Sequence, residues 1–70
     1  MKKISASVAG RVTASHVQEG SAVVPGEDTF VIESMKMEIP VESEHAGRVN
    51  RILVAIGDEV EEGQVLAELE

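Results

Sequence analysis

Seventy residues, 43% of them hydrophobic, carry six basic and thirteen acidic side chains for a formal net charge of −7. That balance, with no Trp or Tyr to stack on bases, excludes a nucleic-acid binder. No cysteine is present, two histidines cannot close a structural zinc site, and so short a chain seldom walls an enzyme pocket by itself, which argues against a self-sufficient enzyme.

Taken from its start, Met1-Lys2-Lys3 resembles the basic head of a signal sequence, but Ser5, Ser7 and Gly10 interrupt the apolar run such a sequence needs. The longest apolar run, Ile52-Leu53-Val54-Ala55-Ile56, is far short of a membrane span, so a cytoplasmic protein with no membrane partner is expected. Val and Ile outnumber Leu by 16 to 3, which favours strands, and no stretch of ten residues keeps a helical period. Ala9-Gly10-Arg11-Val12 recurs 37 residues on as Ala46-Gly47-Arg48-Val49. The register then holds without a gap through Val17/Val54, Gly20/Gly57, Val23/Val60, Gly26/Gly63 and Glu33/Glu70, giving nine identities in 25 pairs (9–33 on 46–70).

The repeated unit reads as strands and turns. Inward positions alternate in Val8/Gly10/Val12, Phe30/Ile32/Ser34 and Val65/Ala67/Leu69. Turn signals fall at Glu19-Gly20, Pro25-Gly26, Gly57-Asp58 and Glu62-Gly63, and 43–47 and 56–58 read as loops. Each half is expected to supply about four short strands, and the halves to pack face to face about a pseudo-two-fold axis. The fold class is then all-β, a flattened β-barrel or sandwich in a single domain over 1–70. Under that two-fold, the linker between the repeats lies at one pole and the termini near the other, and Lys36 stands at the linker's middle.

The turn there is built from unusual residues. Strands over Asp28–Ser34 and Glu38–Glu42 leave only Met35, Lys36 and Met37 between them. A two-residue hairpin of type I′ needs positive φ at both central positions, hence the usual Asn-Gly; here the candidates are Met-Lys, each with a Cβ that resists a left-handed backbone. Such disregard of turn chemistry tends to mark function. The methionines either offer exposed apolar anchors or fold back as gap-fillers in a thin core. Lys36, with Glu33 and Glu38 close on either side, is the candidate functional residue.

Glu33-Ser34-Met35-Lys36-Met37-Glu38-Ile39 resembles the signature of biotin-carrying domains, in which a lysine between two methionines receives biotin. Val17-x-x-Gly20-x-x-Val23-x-x-Gly26 before it and Val54-x-x-Gly57-Asp58-x-Val60-x-x-Gly63-Gln64-x-Leu66 after it fit the same family, the biotinyl/lipoyl carriers. The resemblance implies two four-stranded antiparallel sheets with the modified lysine on an exposed hairpin between the repeats. It further implies that Lys36 is joined to biotin by a biotin protein ligase, with Met35, Met37, Ser34, Glu33 and Glu38 read by that ligase. The carrier would then take a carboxyl group from a biotin carboxylase to a carboxyltransferase. Ser34 stands where the family most often has alanine, and no insertion between Val17 and Val23 supplies the protruding thumb of some bacterial carriers. With no Ala/Pro-rich tether in view, the protein is expected to diffuse to its partners as a monomer.

A free lysine amine, at its reference pKa of about 10.4, is neutral in roughly one molecule in 2,500 at pH 7. The ligase is therefore expected to supply the base and the activated adenylate, and the carrier to supply presentation. The nearest alternative is a lipoyl carrier or a dual acceptor of lipoate and biotin; that branch favours an Asp-Lys-Ala type of turn. A non-modified barrel that serves as an interaction module is a second. A metal site on His16 and His45 finds no support, because the two are not repeat equivalents.

Overall fold

The computed structural model describes residues 2–70; Met1, the head of the basic start, lies outside the described residues. Eight strands succeed one another without a helix among the described residues: β1 (Lys2–Ser5), β2 (Gly10–Ser15), β3 (Ala22–Val23), β4 (Asp28–Ser34), β5 (Met37–Glu42), β6 (Gly47–Ile52), β7 (Glu59–Val60) and β8 (Val65–Leu69). They form two four-stranded antiparallel sheets, ordered β1-β8-β6-β3 and β5-β4-β2-β7. The predicted all-β class and two-sheet architecture are observed.

The offset of 37 maps one sheet onto the other, strand for strand, with β5 as the image of β1 and β6 as the image of β2. Individual hydrogen bonds repeat as well. Gly57 N–H donates to Val12 O at 2.7 Å and Gly20 N–H to Val49 O at 2.8 Å. His16 N–H donates to Thr29 O and Leu53 N–H to Leu66 O. In one respect the sequence reading is corrected. The halves do not each form a sheet: β1 and β3 leave their own half to pair with β8 and β6, and β5 and β7 leave the other to pair with β4 and β2. The short strands after Gly20 and Gly57 carry the chain across, so each half edges the other's sheet.

A single apolar cluster fills the space between the sheets. Its members come in repeat pairs, among them Val12 with Val49, Val23 with Val60, Phe30 with Ala67 and Ile32 with Leu69. Phe30 and its small repeat equivalent Ala67 are both buried in that cluster. One further pair was not legible from alternation, because the ladder slips a residue at a bulge. Thr29 lies at the irregularity between Asp28 and Phe30 and is fully buried, as is its equivalent Leu66. The Thr29 hydroxyl donates to Val41 O at 2.8 Å, and the buried Ser43 hydroxyl donates to His45 O. No buried side-chain polar atom among the described residues lacks a partner, as a core this small requires. Val8 falls outside β2, in the bend before it, and Gly47 opens β6 rather than closing a loop. Pro40 sits on β5, an edge strand, where its missing N–H costs no ladder bond and blocks further pairing.

Candidate functional site

The β4–β5 hairpin closes one residue tighter than the sequence suggests. Ser34 pairs directly with Met37, so β5 begins at Met37 and only Met35 and Lys36 remain in the turn. Both have left-handed backbones, with φ of 53° and 65°, the pattern of a type I′ turn. Among the described residues every other positive φ belongs to glycine, at 20, 26, 57 and 63. The two positions where a side chain is forced into this conformation are thus the candidate lysine and the methionine before it. A left-handed backbone costs a residue with a Cβ roughly 1 kcal/mol or more. Replacing Met35-Lys36 by Asn-Gly is therefore expected to stabilise the protein by about 1–2 kcal/mol, read by urea unfolding. No gain would show that the hairpin tolerates these side chains without strain.

Six ladder pairs from Asp28↔Glu42 to Ser34↔Met37 hold the turn at the end of the hairpin, whose β4 strand is also paired with β2 as far as Arg11↔Glu33. Lys36 is exposed at its apex and makes no hydrogen bond or ion pair with another described residue. Met35 is 92% exposed and Met37 64% exposed, so neither is the folded-back gap-filler that a thin core would have used. Ser34, half-buried, ends β4. Glu33, half-buried, lies opposite Arg11 on one side and Glu38 on the other. Arg11 Nη2 approaches Glu33 Oε1 at 3.7 Å, an exposed pair of small energetic weight. The structure thus gathers Glu33, Ser34, Met35, Lys36, Met37 and Glu38 around one apex.

Beside the turn is an open depression of about 510 Å³, bordered by Gly10, Arg11, Ser34, Met35, Lys36 and Glu59 among others. Gly10, Arg11 and Glu59 were not singled out as site residues from the sequence. The signal for Arg11 was the repeat identity with Arg48; that for Glu59 was its contrast with Ala22 at the equivalent place. A second depression, of about 400 Å³, lies between the edges of β1 and β5, away from the turn. No group of three His, Cys, Asp or Glu side chains suited to a metal ion occurs among the described residues. His16 and His45 are both exposed.

A family model described as "Biotin-requiring enzyme" matches residues 1–69. The chain is 39% identical over 66 residues to the "Biotin/lipoyl attachment protein" of Bacillus subtilis (strain 168), covering 94% of this chain and 90% of that protein. It is 36% identical over 64 residues to the "Biotinylated protein TB7.3 homolog" of Mycobacterium leprae (strain TN), covering 91% and 90%. Among solved structures, the crystal structure of the Kluyveromyces lactis urea carboxylase contains a matching region with a TM-score of 0.89 and 30% identity. That region takes in 99% of this chain but 6% of the carboxylase.

Proposed function

The chain belongs to the biotin/lipoyl attachment family, and from that premise we propose that Lys36 is the residue through which it carries covalent biotin for a biotin-dependent carboxylase. The observation that supports this reading is the turn itself: two side chains in a backbone otherwise left to glycine, with the lysine at the apex. Asn-Gly would close the same hairpin at lower cost, so the sequence keeps stability low at this point in exchange for an exposed amine. A relative of nearly the same length is named as biotinylated, and the same fold recurs within a large carboxylase.

The residues present fit an amide-linked group. Lys36 is exposed and unengaged, and the depression at its side is open to solvent. Biotin, when bound, supplies the ring that accepts and releases the carboxyl group. The protein's own residues do the rest by presentation. The β4–β5 hairpin, anchored in its sheet through β2, holds the Lys36 amine at an exposed apex with little ordering left to lose, which favours docking into a partner's active site. Met35 and Met37 give soft apolar contacts on either side of the amine, adaptable to more than one partner groove. Neither Glu33 nor Glu38 is placed as a general base for the amine, so its activation falls to the ligase. The chain itself acts as a carrier in the cytoplasm, not as a catalyst.

The reading is tested by intact mass and peptide mapping of the chain after incubation with a biotin protein ligase, biotin and ATP. A single adduct on Lys36 is the expected result. No biotin adduct, but a lipoyl adduct from a lipoate ligase, would move the chain to the other branch of its family. A sharper arm exchanges the turn: Met35→Asp with Met37→Ala is expected to slow biotinylation at least tenfold and to favour lipoylation. An unchanged biotinylation rate would show that the methionines are not read.

A further inference from the structure

The two sheets are alike in fold and opposite in charge. Strands β1, β8, β6 and β3 carry Lys2, Lys3, Arg48 and Arg51 against Glu68 alone. Strands β5, β4, β2 and β7, from which the Lys36 turn projects, carry Arg11 against Asp28, Glu33, Glu38, Glu42 and Glu59. Since the repeat relates the sheets strand by strand, this difference is not a consequence of the fold. It has been laid onto a symmetric frame.

The acidic side is organised. Ladder partners run directly across the sheet from Glu38 to Glu33, to Arg11, to Glu59, placing the four side chains in one row on the outer face. Glu38 opposite Glu33 sets like charges across a ladder position, which costs stability. The row ends at Glu59, which borders the same depression as Lys36 and Met35 although it is 23 residues away in sequence from the lysine. Its repeat equivalent on the other sheet is Ala22. β7 is only two residues long, and its pairing with β2 is what carries Glu59 to the lysine side.

We propose that this outer face, from Glu38 across to Glu59, is the surface on which the ligase that modifies Lys36 seats itself, with Glu59 as a contact remote from the turn. The proposal rests on the attachment reading of Lys36. The complementary charge stems from the ligase's chemistry. An enzyme that holds ATP and an acyl-adenylate keeps cationic side chains around its active-site mouth, and a net-acidic face beside the incoming amine steers and orients the encounter. The depression receives the rim of the enzyme while Met35 enters its groove.

The test measures kcat and KM for biotinylation of the full chain by a purified bacterial biotin protein ligase, with biotin and ATP, over a series of NaCl concentrations. For the unmodified sequence, KM is expected to rise with salt. Glu59→Lys is expected to raise KM about tenfold at low salt, to leave kcat within about twofold and to flatten the salt dependence. Glu59→Gln is expected to act in the same sense, by less. Glu70→Lys makes the same charge change at the repeat image of Glu33, beyond the end of β8, and is expected to stay within about twofold of the parent. Equal KM values for Glu59→Lys and Glu70→Lys would overturn the docking face while leaving the attachment reading intact. If the parent chain accepts no biotin at any salt concentration, the attachment reading falls and the docking face falls with it.

Discussion

Lys36→Arg is expected to abolish the biotin adduct completely while leaving the sheets and their unfolding transition unchanged. Arginine keeps the positive charge, the long aliphatic stem and the exposure of the apex, and it has no primary amine to acylate. Lys36 makes no hydrogen bond or ion pair with a described residue, so no native interaction goes with it. The turn asks the same left-handed backbone of arginine as of lysine, so strain is constant across the exchange. Lys36→Ala is expected to give the same loss in the mass spectrum. The β-sheet circular dichroism and the urea midpoint of both variants should match the parent within error. An adduct that persists in Lys36→Arg would place the modification on Lys2 or Lys3. Loss of the β-sheet signal would mean the lysine supports the fold from a position the turn does not suggest.

How much of this was legible in the sequence depends on what kind of information each feature needs. The repeat named the turns correctly because a left-handed glycine is a local requirement, and Gly20, Gly26, Gly57 and Gly63 all have positive φ. Lys36 was legible for the converse reason: a tight linker without glycine or asparagine contradicts its own surroundings. The exchange of edge strands between the sheets, β1 and β3 against β5 and β7, was not legible. An offset of 37 states that two segments are equivalent, but it is silent on which equivalent sheet each will join. The burial of Thr29 was hidden by a bulge, because one extra residue inverts the inward and outward positions that alternation relies on. The exposure of Met37 could not be decided from composition either, since methionine suits a core gap and a docking surface equally. Glu59 was one surface acid among many until the short β7 ladder put it across from Arg11.

Gly10→Ala is expected to destabilise the protein by about 2–3 kcal/mol, a large share of the stability available to a chain this short. Gly10 opens β2, where the ladder of β4 runs into the Lys36 turn. A Cβ built there would overlap the Glu33 carbonyl oxygen and lie 2.7 Å from Ile32 Cγ2. Ile32 is fully buried, so its methyl has nowhere to retreat, and the carbonyl belongs to a strand fixed on both sides. Relief therefore requires β2 to move away from β4, and that movement displaces Glu33 and the turn two residues beyond it. Thermal unfolding should register the loss as a fall in Tm of more than about 10 °C. Biotinylation should slow as well, even at temperatures where the variant remains folded, because the arm that presents Lys36 is no longer held against the body. Gly47→Ala supplies the comparison within the same molecule. Its Cβ would lie 2.8 Å from the carbonyl oxygen of Glu70, a longer approach than at Gly10 and to an exposed residue beyond the end of β8, held there through its N–H to Arg48 O. The smaller loss expected there, about 1 kcal/mol, would leave biotinylation untouched, since the strained contact lies on the sheet that does not carry the lysine. Equal losses in the two variants, with equal biotinylation rates, would show that the close packing of β2 on β4 serves the frame alone. Unequal ones in the expected order would tie the most crowded glycine of the fold to the placement of its amine.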